Sequence, residues 1–69
     1  MNKSTTIDGY TVELDQDEQL WIEKDGRFYG SGAGLENTGT LNDRDGYTPH
    51  YVSEETQDKI FAWEEKHTA

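Results

Sequence analysis

The scarcity of apolar side chains is the feature that most limits what this chain can fold into. Only 30% of its 69 residues are hydrophobic, and it contains no cysteine. A domain this small balances about 25 cal/mol per Å² of buried apolar area against about 1.5 kcal/mol of conformational entropy per ordered residue, and the difference is close to zero. Because the chain lacks thiols, neither disulfides nor thiolate zinc sites support the fold. We therefore expect one small domain over residues 1–69. It either buries its two Trp, four Tyr and two Phe residues or oligomerises.

The charge of the chain limits its partners. Fifteen acidic residues against six basic ones give a net charge of −9 at pH 7. Such a surface repels nucleic-acid phosphates and anionic membranes and attracts basic surfaces. No apolar stretch approaches the roughly 20 residues of a membrane span, and the first residues lack the apolar core of a signal peptide. The expected partner is a basic protein surface, with no direct nucleic acid and no membrane. The expected location is the cytoplasm, or the host cytoplasm if a phage encodes the chain.

Alternating side chains predict β-strands in the first half of the chain. Residues 1–6 are polar and are expected to be frayed. Tyr10, Val12 and Leu14 then follow a period of two with polar residues between them, which is typical of a half-buried strand. Residues 15–18 are a polar turn, and a second strand covers residues 19–24. With a third strand up to residue 31, the sequence predicts a three-stranded meander over residues 7–31.

The dipeptide Asp25-Gly26 predicts a tight hairpin, because both central positions of a type I′ turn need positive φ. A two-residue turn would place Ile22 opposite Tyr29 and Trp21 opposite Gly30. Tyr29 would then share a face with Ile22, and the Trp21 indole would cover the bare backbone of Gly30. Both faces of this sheet would carry aromatic residues, one covered by a helix and the other by a loop or a partner.

The second half of the chain contains a glycine-rich region and a helix. Residues 32–51 are expected to form a loop region, with a fourth strand near residues 47–52 that Pro49 would restrict to a sheet edge. Residues 53–67 are expected to form a helix, with Ser53 as its N-cap and Thr56, Ile60, Trp63 and His67 on its buried side. The predicted fold class is α+β: a small antiparallel β-meander of three to four strands packed against one C-terminal α-helix.

Two motifs that suggest ligand binding lack the residues that the chemistry requires. Residues 30–34 resemble a phosphate-binding loop, but no lysine follows, so we expect a flexible or bulged strand end. Residues 43–46 resemble part of an EF-hand, but Leu41 and Val52 stand where oxygen ligands are needed. A plain Asp-Gly turn is the expected structure there.

The two histidines do not predict an active site. Ser31, Ser53 and the carboxylates would complete a catalytic triad on paper, but triads are recognised by geometry and not by residue inventory. His67 suits the C-terminal end of a helix dipole, and His50 is expected at a surface or packing position. We expect a protein that is not an enzyme, with no catalytic, cofactor-binding or metal-binding residues and no cofactor.

The acidic residues suggest a charged surface that imitates nucleic acid. Alternate residues on a strand repeat at about 6.8 Å, close to the axial rise of two phosphates at about 3.4 Å each on one DNA strand. Glu13, Asp15 and Asp17 would form such a row. The expected partner-binding residues combine this row with acidic loop and helix positions and with two loop tyrosines as interface anchors: Glu13, Asp15, Asp17, Asp43, Asp45, Tyr47, Tyr51, Glu54 and Asp58.

The leading functional hypothesis is a non-enzymatic acidic protein that occupies a basic, nucleic-acid-binding surface of a partner protein. Small acidic phage-type inhibitors of host defence, including anti-CRISPR proteins, act in this general way as nucleic-acid mimics, an analogy of size and charge alone. The alternative is a structural or accessory module that assembles through an aromatic loop face, for example as a homodimer. In that case the acidity serves solubility or adaptation to high salt. A small enzyme or metal-binding domain is the third hypothesis.

Overall fold

A computed structural model describes residues 3–46 and 48–68, and within these ranges the chain forms six strands and two helices. The elements in chain order are β1 (Lys3–Ile7), β2 (Tyr10–Leu14), β3 (Leu20–Lys24), β4 (Phe28–Ser31), α1 (Gly32–Thr38), β5 (Thr40–Asp43), β6 (His50–Tyr51) and α2 (Glu54–His67).

The strands form one antiparallel sheet in the order β1-β2-β3-β4-β5-β6, so each strand pairs with its neighbour in sequence. Leu35 of α1 and Ile60 of α2 belong to the same buried cluster as the inward side chains of the sheet. Both helices therefore lie on one face, which we call the inner face. The α+β class and the meander are confirmed. The strand count of three to four was too low, because β1, β5 and β6 add to the three central strands.

Strand β1 occupies residues that were expected to be frayed. Lys3–Ile7 pairs along its whole length with β2, from Lys3 opposite Leu14 to Ile7 opposite Tyr10. Asp8 and Gly9, with φ of 51° and 86°, form the two-residue turn between the strands. The expectation for these residues was wrong because the strand is a polar run without clear alternation, and the Asp8-Gly9 turn pairs it with β2. Residues 1 and 2 lie outside the described ranges.

The β3–β4 hairpin has the predicted turn but not the predicted register. Asp25 and Gly26 have φ of 56° and 69°, and the Arg27 N–H donates to the Lys24 carbonyl at 3.0 Å. Lys24 nevertheless pairs with Phe28, so Arg27 is an extra residue that forms a bulge.

The extra residue exchanges the faces of every later position in β4, because side chains alternate with a period of two. Ile22 is opposite Gly30, and Trp21 is opposite Ser31. Gly30 therefore lies on the inner face, where a Cβ would stand 3.1 Å from the Leu41 side chain. Tyr29 points to the opposite face, which we call the outer face. The expected packing of Trp21 over Gly30 was wrong.

The glycine-rich region contains a helix where a loop was expected. The Ser31 hydroxyl accepts the Gly34 N–H at 3.0 Å and caps the start of α1. Gly39, in the left-handed region at φ 71°, ends the helix and donates its N–H to the Leu35 carbonyl. Leu35 is fully buried and attaches this short helix to the core. Packing of this single leucine and the two caps compensate for the low helix propensity of the segment.

The fourth strand expected near Pro49 is present and lies at the sheet edge. Strand β6 is two residues long and pairs only with β5, through Thr40 opposite Tyr51 and Leu41 opposite His50. Pro49 directly precedes it, which agrees with the restriction of proline to strand ends and edges.

The core is mainly aliphatic, whereas the sequence predicted either burial of the aromatic residues or oligomerisation. The buried hydrophobic residues are Tyr10, Val12, Leu14, Leu20, Ile22, Leu35, Leu41, Val52 and Ile60. Phe28, Phe61 and Trp63 pack at the margin of this cluster. Trp21 and Tyr29 remain 43% and 41% exposed. The core therefore covers one face of the sheet and leaves large aromatic side chains on the other.

Helix α2 forms as expected and is attached to the first hairpin. Ser53 accepts the Thr56 N–H at 3.2 Å, and both Thr56 and Ile60 are buried. The Asp8 carboxylate accepts hydrogen bonds from the Thr56 hydroxyl at 2.8 Å and from Lys59 at 3.1 Å. At the other end of the helix, Lys3 donates to the His67 carbonyl at 2.8 Å. These bonds hold the helix on the inner face.

We predict that Gly32→Ala destabilises the fold, because a Cβ at this buried position would lie 2.8 Å from Leu20 Cβ. Overpacking of this kind costs about 1–3 kcal/mol. Urea unfolding followed by circular dichroism measures the effect. The control is Asn37→Ala, at an exposed position of the same helix, which should change the free energy of unfolding by less than about 0.5 kcal/mol. A Gly32→Ala variant as stable as the parent chain would contradict the close packing of α1 on β3.

Candidate functional site

The outer face of the sheet is the candidate site, because both helices pack on the inner face. Among the described residues of the central strands, this face carries alternating acidic and aromatic side chains. Glu13 of β2 is directly opposite Trp21 of β3, and Glu23 of β3 is directly opposite Tyr29 of β4. Trp21 and Tyr29 are diagonal neighbours, at the Cα spacing of about 7–8 Å typical of such pairs. The two aromatic rings and the two carboxylates therefore share one patch.

A shallow groove of about 240 Å³ runs over this patch and is also lined by Arg44. The Arg44 Nη2 donates to the Glu23 carboxylate at 3.2 Å. The same guanidinium lies 4.6 Å from the centre of the Tyr29 ring. Arg44 directly follows β5, and the alternation from buried Asp43 turns its side chain to the outer face. Acidic, aromatic and cationic groups thus meet at one end of the groove.

The exposed indole of Trp21 is held in a fixed orientation. Its Nε1–H donates to the Asp15 Oδ2 atom at 3.0 Å. The other oxygen of Asp15 accepts the backbone N–H groups of Asp17 and Gln19 at 2.8 and 2.9 Å. The hydrogen bond from Trp21 and those from the backbone lower the pKa of Asp15. An aromatic side chain ordered in this way loses little entropy when a partner covers it.

The predicted row Glu13, Asp15 and Asp17 does not follow one strand. Strand β2 ends at Leu14, and the chain then turns, with the Glu18 N–H donating to the Asp15 carbonyl at 3.0 Å. Glu13 alone of the three lies on the outer face of a strand. Asp15 uses both carboxylate oxygens within the molecule, and Asp17 lies exposed in the turn. The repeat of about 6.8 Å along a strand therefore does not apply to these residues.

Asp43 is a structural residue and not part of a binding surface. Its side chain is 2% exposed and forms two hydrogen bonds with Arg27, Nε to Oδ1 at 3.2 Å and Nη2 to Oδ2 at 3.0 Å. It also accepts the backbone N–H groups of Asp45 and Thr48. The Arg27 hydrogen bonds, with help from these N–H groups, lower the pKa of Asp43 to about 2. The prediction of Asp43 as a partner-binding residue was wrong because Arg27 and the following loop enclose it.

The remaining predicted residues do not line the groove. Asp45 is exposed in the turn after β5, 3.7 Å from Arg27, and the Gly46 N–H donates to the Asp43 carbonyl as expected of a plain turn. Tyr51 is 76% exposed on the edge strand β6. Tyr47 lies outside the described residues.

Glu54 and Asp58 are exposed on α2, on the side of the sheet opposite the groove. The sequence prediction therefore combined residues that one flat partner cannot contact at once. The sequence prediction did not include Glu23 and Arg44, and the register error placed Tyr29 on the same face as Ile22.

The serine hydroxyls and histidine rings that were considered for a catalytic triad make structural contacts instead. The Ser31 and Ser53 hydroxyls cap the two helices. His50 lies against the Phe28 ring and forms a hydrogen bond with the Tyr10 hydroxyl. His67 contacts the Trp63 ring at the end of α2. In the described part of the chain, no group of three or more histidine or acidic side chains is placed to hold a metal ion.

No helix within the described ranges is long and apolar enough to cross a membrane. Comparison of the chain with protein-family models, with curated proteins and with solved structures found no match.

We predict an acid-dependent loss of stability that is specific to Asp43. Because its pKa falls from the ordinary 3.8 to about 2 on folding, its ionisation stabilises the fold fully above pH 3.8, and this contribution is lost as the pH falls through about 2. Urea unfolding between pH 2 and pH 6 should show that Asp43→Asn is destabilised most above pH 4 and approaches the parent chain near pH 2. Asp45→Asn serves as the control. A pH-independent difference for Asp43→Asn would contradict the ion pair.

We also predict that Asp15→Asn releases the Trp21 indole without disrupting the turn. The remaining amide oxygen still accepts the two backbone N–H groups, but the amide NH₂ cannot accept a hydrogen bond from the indole. Hydrogen exchange of the Trp21 Nε1–H, measured by NMR, should accelerate about three- to tenfold, in line with the loss of about one hydrogen bond. The Trp63 indole is the internal reference and Asp17→Asn is the control. Unchanged exchange at Trp21 would show that Asp15 does not orient it.

Proposed function

We propose that this protein is a non-enzymatic acidic binding protein that occupies a basic, nucleic-acid-binding surface of a partner protein through its outer sheet face. The observation that carries the proposal is the coincidence of Trp21 and Tyr29 with Glu13 and Glu23 on the face that the helices leave uncovered. Small acidic inhibitors encoded by phages, including anti-CRISPR proteins, act in this way. The protein is proposed to belong to that functional class.

The aromatic residues supply the affinity in this proposal. Trp and Tyr dominate the energetics of protein interfaces because they bury large areas at low conformational cost. Trp21 is 43% exposed and Tyr29 is 41% exposed, in a domain whose other large apolar side chains are mostly buried. The hydrogen bond from Trp21 to Asp15 fixes the indole before a partner arrives. The outer face therefore presents exposed aromatic side chains, one of them already ordered, that a partner can cover.

The net negative charge determines which kind of partner the protein attracts. At a net charge of −9, the field of the whole molecule accelerates encounters with basic surfaces and repels polyanions. Aromatic residues on an open sheet also bind single-stranded nucleic acid in other proteins, but those sheets lie in positively charged grooves. This groove is lined by two carboxylates, Glu13 and Glu23, and one cation, Arg44, so its net charge is negative. A basic surface that normally binds nucleic acid supplies the complementary charge.

Acidic residues outside the outer face have a supporting role in this proposal. Glu54 and Asp58 lie on α2, behind the sheet. They contribute to the long-range field but make no contact with a partner that covers Trp21. Salt screens such a field within about 8–10 Å at physiological ionic strength, so contacts at the outer face matter more than distant charge.

A capture experiment with charge-matched variants tests the proposal. The immobilised chain is exposed to a nuclease-treated lysate, alongside the double variants Glu13→Gln/Glu23→Gln and Glu54→Gln/Asp58→Gln. Each pair removes two charges from −9 and leaves −7. The captured protein should be a nucleic-acid-binding protein, retained at low salt and released by about 0.5 M salt. Only the outer-face variant should lose it.

The captured protein is then purified and tested with its own nucleic acid. The chain should displace the nucleic acid competitively, and the outer-face variant should do so at least tenfold less well. Equal losses for the two double variants, a partner without a basic patch, or a salt-insensitive complex would contradict the proposal. A stable homodimer that buries Tyr51, seen by sedimentation at several concentrations, would favour an assembly module instead.

A further inference from the structure

The outer face contains two acid–aromatic pairs of the same construction. Glu13 and Trp21 face each other across β2 and β3, and Glu23 and Tyr29 face each other across β3 and β4. Directly opposite side chains in an antiparallel sheet have Cβ atoms about 4.5–5.5 Å apart. Each pair therefore places a carboxylate-bearing side chain next to an aromatic one. The two pairs lie side by side in the same groove.

One of the two pairs already binds an arginine side chain. The Arg44 guanidinium donates to the Glu23 carboxylate at 3.2 Å and lies 4.6 Å from the Tyr29 ring centre. A guanidinium is planar and weakly hydrated, so it stacks on a ring and bonds to a carboxylate at once. The sheet face thus recognises arginine within its own chain. Recognition of this kind uses one carboxylate and one aromatic ring, and Glu13 and Trp21 provide the same two groups.

The other pair has the better ring for a cation. Indole is the aromatic side chain that binds cations most strongly. Among the described residues, the rings that have a cation over them are those of Tyr10, Phe28 and Tyr29, and Trp21 is not one of them. Asp15 holds the indole in place from the edge, so the ring face needs no rearrangement to accept a ligand.

We propose that Glu13 and Trp21 receive an arginine side chain of the partner, in the same way that Glu23 and Tyr29 hold Arg44. This inference rests on the proposed function and names the chemistry of the partner: an arginine-bearing segment of a basic protein surface. Lysine is the weaker ligand, because its compact ammonium is strongly hydrated and does not stack. The net charge of −9 favours such a segment over a second copy of this chain or a nucleic acid.

Three nonapeptides of alternating glycine and a second residue test the inference by calorimetric titration at low salt. The second residue is arginine, lysine or citrulline, which has the shape of arginine without its charge. The arginine peptide should bind about two- to fivefold more tightly than the lysine peptide, and the citrulline peptide should not bind measurably.

The variant Trp21→Leu should reduce the affinity for the arginine peptide by about two- to fivefold and remove the preference over lysine. Tyr51→Leu, at another exposed aromatic residue, is the control and should leave both affinities unchanged. Glu13→Gln is the second variant, and it should weaken arginine binding even if the Trp21 change disturbs the sheet. Circular dichroism confirms that each variant is folded.

The experiments distinguish a failure of the arginine-site inference from a failure of the proposed function. Equal binding of the arginine and lysine peptides, unaffected by Trp21→Leu, would overturn the inference and leave a partner held by charge alone. Tighter binding of a single-stranded RNA oligonucleotide, or self-association that excludes the peptide, would also overturn it. Loss of the captured partner from the helix variant alone would instead contradict the proposed function, while the peptide preference would still support an arginine site.

Discussion

The register of the β3–β4 hairpin decides which side chains of this protein meet solvent, and Arg27 sets that register. As the extra residue of the hairpin, Arg27 shifts β4 by one position, so that Lys24 pairs with Phe28. Its side chain then bonds to Asp43 on β5 through two hydrogen bonds. Without this bulge, Tyr29 would turn to the inner face. Tyr29 belongs to the acid–aromatic patch of the outer face because one residue is inserted before β4 and held there.

Sequence patterns predicted those parts of the fold where packing and local preference agree. The alternation of β2, the positive-φ turn at Asp25 and Gly26, and the capped helix α2 all follow from local rules. The bulge at Arg27 does not, because the same dipeptide serves two-residue and bulged hairpins. Helix α1 has a single buried apolar anchor, Leu35, in a segment of low helix propensity. Its formation depends on tertiary packing that no local window contains.

The candidate site was less predictable than the fold, because its composition depends on strand register and on where each strand ends. Acidity alone selected both Glu13 and Asp15, but the Asp15 carboxylate is bonded to the Trp21 indole and orients it. Acidity also selected Asp43, which is buried by an arginine sixteen positions earlier in the chain. The sequence shows that a residue is charged. It does not show whether a partner far away in the chain already neutralises that charge. The net charge of −9 describes the field of the molecule, while the contact surface is set by the sheet.

The central claim is that a basic partner is recognised by the outer face and not by acidic charge in general. Two-dimensional amide NMR of the chain, titrated with the arginine–glycine nonapeptide, tests this most directly. Chemical-shift changes should concentrate on the Trp21 indole and on the amides of Thr11, Glu23 and Tyr29, and the amides of α2 should not shift. Small changes of similar size at every acidic segment, including Glu54 and Asp58 on α2, would contradict it.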